Sequence, residues 1–199
     1  MINFGFIDSE IDGTEVILKS SDFNKLEIPN EYSYRKYLPD VLNQGERPIC
    51  VPCSISSFLY WRNKLNGIDK KISLDLIFEQ RLDKNLNGMQ IKTALKFLKH
   101  NKDNIYNINS YAMLVSPLLI KYSLISNGPC IIALDVYNSN SSDFWNGSNN
   151  EGRHAVSVIG YNNEGFEIRN SWGYSYGNNG YYILPYKDFS KVREAWALI

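Results

Sequence analysis

The order of patterned segments predicts an α+β protein of two lobes, with helices in the first half of the chain and strands in the second. Three observations carry that expectation. Between Pro52 and Gly128, four stretches place apolar residues at helical spacing. After Pro129, five short stretches read as strands separated by turn residues. The chain has 199 residues, no repeat and no low-complexity linker, which suits one domain with a substantial core or two small lobes. A cleft between lobes is a favoured place for a substrate.

Residues 1–27 read as short strands and turns, with "IDGTEVIL" a turn followed by an apolar strand. The next stretch, "EIPNEYSYRKYLPDVLNQGERPIC", is rich in Pro, Tyr and turn residues and reads as extended chain. From Pro52, Ile55, Phe58, Leu59 and Leu65 fall at helical spacing, and Gly67 supplies a stop. "SLDLIFEQRL" predicts a second helix. "NGMQIKTALKFLKHN" predicts a third, with Ile91, Ala94, Leu95 and Leu98 in one apolar stripe. "SPLLIKYSLISNG" is the best punctuated of the four: Ser116 as N-cap, Pro117 at the first helical position, Gly128 just past the end. The strands are "CIIALDVY", "AVSVIGY", "GFEIRN", "GYYILPY" and "EAWALI".

Composition narrows the function. Lys plus Arg and Asp plus Glu number 21 each, so no net charge attracts nucleic acid or an anionic membrane. No apolar run approaches the roughly 18 residues of a membrane span, and "MINFGFIDSEIDGTE" lacks the basic and apolar regions of a secretory signal. The three cysteines, Cys50, Cys53 and Cys130, are an odd number in a chain too large to need staples. They point to reduced thiols and a cytoplasmic setting. A monomer is the favoured state.

The stretch "GRHAVSVIGYNNEGFEIRNSWG" reads as strand, turn, strand, yet carries His154 at one end and Asn170-Ser171-Trp172 at the other. An imidazole beside an amide resembles half of a catalytic site. Cys50 supplies a candidate for the other half, because it stands where an extended segment meets a helix start. Unsatisfied N–H groups and the helix dipole there favour a thiolate, and an imidazole across a cleft would activate it. Each residue alone has a plainer reading: free cysteines are usually small buried hydrophobes, His154 a satisfied core histidine, His100 a solvated residue at a helix end. No Cys or His pairing has zinc spacing. Cys50-Val51-Pro52-Cys53 has redox-dithiol spacing, but the strand-helix-strand context of such proteins is missing.

Taken together, "NQGERPICVPCSISSFLYW", "RHAVSVIGY" and "RNSWGYSYGNNGYYI" resemble the papain-like cysteine peptidases. That family has a Gln-Gly pair, a nucleophilic Cys six residues after the Gln, a distant His-Ala and then Asn-Ser-Trp-Gly. Here Gln44 precedes Cys50 by six and His154 precedes Asn170 by sixteen. The resemblance runs from about residue 28 to the end. It implies a helical lobe over about 28–115 and an antiparallel, β-barrel-like lobe over about 116–199, with the active-site cleft between them. It implies Cys50 as nucleophile, His154 as general base and acid, and Asn170 as the residue orienting the imidazole. Gln44 would be an oxyanion donor and Trp172 a shield over the His154–Asn170 bond. Gly88, Met89, Ala133 and Arg153 would lie along the substrate groove. The implied activity is endopeptidase cleavage of a peptide or protein substrate without metal or cofactor. A specialised amide, such as a peptidoglycan stem peptide or an isopeptide, and a catalytically silent binding relative are the alternatives.

The chain departs from the family at several points. Val51 replaces the usual Trp, and Tyr176 stands where a second Trp is common. Arg153 precedes His154 where Asn or Asp is frequent; it is solvated, disfavours charge on His154, or meets an acidic substrate residue. Residues 1–27 are too short for the family's helical pro-domain and form a short propeptide, an added edge strand or an unstructured tail.

Overall fold

The computed structural model describes residues 4–23 and 26–199, so positions 1–3, 24 and 25 of the N-terminal extension lie outside the described residues. The chain opens with β1 (Phe6–Ile7), passes through a 3₁₀ turn and β2 (Tyr32–Ser33), and reaches α1 (Cys50–Leu65). There follow α2 (Leu74–Phe78), β3 (Met89–Gln90), α3 (Ile91–His100), β4 (Tyr111–Met113) and α4 (Pro117–Ser126). The last third is β5 (Cys130–Val136), β6 (Gly152–Tyr161), β7 (Gly165–Arg169), β8 (Tyr181–Pro185) and β9 (Val192–Leu198). The chain adopts the expected α+β class, although four short strands, β1 to β4, lie before or among the helices.

α1 starts two residues before the change of pattern at Pro52. Proline is tolerated there because the first N–H groups of a helix have no intrahelical partner. Its first ten residues are buried on every side, as a central helix requires. Its serines are accommodated by hydrogen bonds, Ser54 Oγ donating to the Cys50 carbonyl at 2.8 Å and Ser56 Oγ to that of Cys53 at 2.6 Å. The helix ends at Asn66 and at Gly67, whose φ of +68° suits glycine. Leu65 is 69% exposed, so the apolar stripe stops one turn earlier than its spacing suggests. The α3 stripe of Ile91, Ala94, Leu95 and Leu98 is wholly buried, and Ser116 Oγ accepts the Leu119 N–H at the start of α4. The apolar strand expected in "IDGTEVIL" is reduced to one bridge, Ile17 to Met113, with Val16 and Ile17 exposed.

The main sheet is antiparallel in the order β4-β9-β5-β6-β7-β8. β6 is long enough to pair with β5 along residues 152–158 and with β2 at its far end. β2 and β4 thus join the sheet although they lie in the first part of the chain. Residues alternate between two cores. Ile131, Ala133, Ala155 and Trp196 face α1 and α3, while Ile132, Leu134, Val156 and Val158 pack with Phe144, Phe166 and Trp172.

A polar seam fixes α1 against the sheet. Ser157 Oγ on β6 donates to the Ser54 carbonyl and pairs with Ser57 Oγ, both at 2.8 Å. Arg169, only 3% exposed, donates to Ser57 Oγ at 2.9 Å and to the carbonyls of Pro39 and Asp40 at 3.1 and 2.6 Å. One guanidinium therefore ties together the helix, the end of β7 and the loop leading to Gln44. Its two terminal nitrogens are met by these acceptors, while Nε is buried without a partner.

Candidate active site

Cys50 is the first residue of α1 and its side chain is fully buried. The N–H of Ala155, the residue after His154 on β6, points at its sulfur from 3.5 Å. On the same strand, His154 Nε2 lies 2.7 Å from Asn170 Oδ1, and Asn170 follows the last residue of β7. Asn170 Oδ1 also accepts the Ser171 N–H at 2.7 Å, which fixes which end of the amide is oxygen. An amide oxygen only accepts, so Nε2 carries the proton and Nδ1 is the basic nitrogen of the neutral ring. Nδ1 is buried with no hydrogen-bond partner. Trp172 stacks on the imidazole at a centroid distance of 4.6 Å, and Phe144 meets it edge-on at 6.2 Å.

Gln44 is bound to the same block. Its N–H donates to the Ser171 carbonyl at 2.8 Å, its Oε1 accepts Ser171 Oγ at 2.6 Å, and its Nε2 donates to the Arg47 carbonyl at 3.0 Å. Segments beginning at residues 44, 50, 154 and 170 therefore meet at one point. Burial pushes the Cys50 thiol up to about 11 against the pull of nearby N–H groups, and pushes His154 down to about 4 despite its bond to Asn170. In this closed state both groups are neutral, and the thiolate expected at a helix N-terminus is suppressed by the cover above it.

That cover is the chain's own N-terminus. Phe4 packs edge-on against His154 and Trp172, at 6.3 and 6.0 Å. The Gly5 N–H is one of the groups stabilising the Cys50 sulfur, and the Gly5 carbonyl accepts the Met89 N–H at 2.8 Å. β1 then pairs in parallel with β3, Phe6 opposite Met89. Two glycines permit this close passage: a Cβ on Gly5 would stand 2.1 Å from the Pro48 carbonyl oxygen, and one on Gly88 (φ +148°) 2.6 Å from that of Gly5.

Farther on, Gln90 Nε2 donates to the Asp8 carbonyl at 3.0 Å, and the Ser9 N–H donates to Glu194 Oε1 at 2.5 Å. The Asp8 carboxylate is held by Arg153 and Arg193. Buried Lys92 closes the row, its Nζ bound to the Glu10 carbonyl and to Asp12 and Glu15.

Three of the four expected groove residues, Gly88, Met89 and Arg153, touch this strap. Met89 pairs with it and Gly88 lies close against Gly5, while Ala133 sits in a row between Ala155 and Glu194. Arg153 is not simply solvated, since Asp8 takes up its charge. Val51 is fully buried, and Tyr176 packs edge-on against Trp172 at 5.6 Å. Sequence reading did not single out Asp8, Ser171, Arg169, Arg193 or Glu194. Only Ser171 carried a signal, being part of the Asn-Ser-Trp-Gly block. All three cysteines are buried and free, with Cys53 and Cys130 both raised to about 12 by burial. Among the described residues, no group of three His, Cys, Asp or Glu side chains is placed to hold a metal, and no helix is long and apolar enough to cross a membrane.

A buried thiol at a helix start, met by the N–H of the residue that follows an amide-bound imidazole, suits thiol-based acyl transfer. The comparisons agree with that class. The model of the papain family cysteine proteases matches residues 54–193. Xylellain, a cysteine protease from Xylella fastidiosa, superposes with a TM-score of 0.80 at 19% identity, over 99% of this chain and 96% of its own. Digestive procathepsin L2 from the larval midgut of Tenebrio molitor gives 0.72 at 18% identity, over 99% and 78%. Procathepsin B S9 from Trypanosoma congolense gives 0.75 at 14%, over 99% and 86%. No curated protein matches the chain. The chain belongs to the papain family of cysteine proteases, and as such is a cysteine peptidase, a hydrolase.

Proposed function

We propose that this peptidase is an endopeptidase working through Cys50, His154 and Asn170, held latent by its N-terminal extension. The observation that carries the reading is the His154–Asn170 bond of 2.7 Å, which leaves the basic ring nitrogen unpartnered beside the strand residue that contacts Cys50.

In the open state His154 Nδ1 takes the thiol proton as sulfur attacks the peptide carbonyl. The oxyanion so formed accepts hydrogen bonds from the Cys50 N–H and the Gln44 side-chain amide. On collapse the C–N bond breaks and His154 returns its proton to the leaving amine, leaving a thioester. Water then loses a proton to Nδ1 and attacks the acyl carbon, the C–S bond breaks, and the thiol is restored. Asn170 keeps the ring in the tautomer and orientation both half-reactions need.

Two features support a peptide substrate and latency. The groove accommodates an extended segment from Phe4 to Ser9, which suits a peptide better than a small amide. That segment lies directly over Cys50 while pairing in parallel with β3.

Alkylation by iodoacetamide, mapped by peptide mass across about pH 4 to 9, tests the site. Wild type, His154→Ala and a chain lacking residues 1–27 are compared. Fast, His154-dependent labelling of Cys50 in the shortened chain, with peptide cleavage abolished by Cys50→Ala, is the expected result. A Cys50 that remains inert in a folded, shortened chain overturns the reading.

A further inference from the structure

Two charged rows form the floor under the N-terminal strap. Ala155, Ala133 and Glu194 are register partners across β6, β5 and β9, so their side chains share one face. One step outward, Arg153 pairs with Asp135. The β5–β9 register shifts at this level: Ala133 faces Glu194 and Leu134 faces Val192, leaving Arg193 as the extra residue. Such a bulge re-aims a side chain. Here it directs Arg193 toward Asp135 and into the cleft, beside Arg153.

Together the two arginines make a carboxylate cradle. Arg193 Nε and Nη2 grip the two oxygens of Asp8 at 2.9 Å each, and Arg153 Nη1 adds a third bond at 2.5 Å. Asp135 stiffens the cradle without filling it, accepting Arg193 Nη1 at 3.1 and 3.3 Å and lying 3.8 Å from Arg153 Nε. Next to it, Glu194 accepts the Trp196 indole N–H at 2.8 Å and the backbone N–H of Ser9. A cavity of about 470 Å³, bordered by Asp135, Tyr137, Trp145 and Arg193, adjoins the cradle. The site thus accepts an acidic side chain and the N–H of the following residue, with space alongside.

We propose that Arg153 and Arg193 form a subsite for an acidic residue of the peptide substrate about three positions from the scissile bond, which Asp8 occupies in the closed chain. The placement follows from the strap itself. Gly5 covers Cys50 and Asp8 lies three residues farther along the groove lined by Met89, a reach of about 10 Å in extended chain. A peptide bound with the strap's polarity therefore carries its acid about three positions after the bond cut, and one running the opposite way about three positions before it. Its identification as substrate rests on the peptidase reading; the carboxylate specificity of the site does not.

The test uses the full chain with Gly5→Ala, which dislodges the strap, and Asp8→Ala, which empties the cradle. With Cys50→Ser added, fluorescently labelled peptides carrying Asp, Asn or Lys at each of the four positions on either side of the bond are titrated for binding. The Asp peptide should bind at least about tenfold more tightly than the Asn peptide at one position. Arg193→Gln should bring that ratio close to one, and added salt should shrink it. Equal affinities, a preference for Lys through Glu194, or no binding at all overturns the proposal. The same chain with Cys50 intact separates the two readings. Cleavage without acid preference removes this subsite and keeps the peptidase, whereas acid-selective binding without cleavage does the reverse.

Discussion

Placing alanine at Gly5 would set a methyl carbon 2.1 Å from the Pro48 carbonyl oxygen, far inside ordinary contact. Pro48 cannot retreat, because it is backbone two residues before Cys50 at the start of α1. The strap must move instead, by about 1 Å or more, loosening the Met89 N–H bond to the Gly5 carbonyl and the cover over Cys50. Overpacking of this kind costs about 1–3 kcal/mol. At roughly 1.4 kcal/mol per factor of ten, the open population rises about 5- to 150-fold. The assay is the second-order rate of Cys50 alkylation at about pH 7, with each thiol mapped by mass and thermal melting run alongside. Gly5→Ala should raise the rate at Cys50 by that factor and leave Cys53 and Cys130 slow. Adding His154→Ala should cancel much of the gain, because the open thiol then lacks its base. Labelling of Gly5→Ala at the wild-type rate would refute the argument that the strap controls access.

Three further outcomes follow from the geometry. In the opened chain, Gln44→Ala should lower kcat about 100- to 1,000-fold with a smaller change in KM, since an oxyanion donor acts in the transition state; a pure KM effect counts against that role. Arg169→Met should destabilise the fold by about 3 kcal/mol or more in urea unfolding, because two carbonyls and Ser57 lose a buried cationic donor. Acid should loosen the strap. His154 is held near 4 in the closed state, below its ordinary 6.5, so an open state binds more protons between those values and gains as pH falls. Asp8, held below its ordinary range by Arg193 and Arg153, adds the same tendency only below about pH 4, where it takes up a proton. Hydrogen exchange of residues 4–12, corrected for intrinsic rate, should show weaker protection at about pH 5 than at pH 7.5; equal protection would sink the linkage.

The central machinery was legible because its signals are local or fixed by spacing. Cys50 stands at a helix start, His154 heads a strand, and Asn170 ends the next one. A hairpin brings the last two together whatever the rest of the chain does. Helix punctuation was legible for the same reason, as Ser116, Pro117 and Gly128 act within one or two turns. The supporting shell was not, because its partners are distant in sequence. Arg169 reads as an ordinary charged residue before Asn170, and only folding shows its donors spent on Ser57, Pro39 and Asp40. Arg193 looks like a solvated strand residue until the register shift between Ala133 and Leu134 brings it against Asp8 and Asp135.

The strap shows the same limit most clearly. Phe4-Gly5-Phe6 has no strong pattern of its own, and its short pairing with Met89-Gln90 could not stand alone in water. It is held by what the cleft already offers: an aromatic wall at Trp172, a free N–H at Met89, two arginines and a buried lysine. These sites face the groove, so each becomes available when the strap leaves. On the two proposals made above, the residues that hold the strap are those positioned to select what the peptidase binds when open, and changes that weaken closure at Arg153 or Arg193 should alter substrate preference as well.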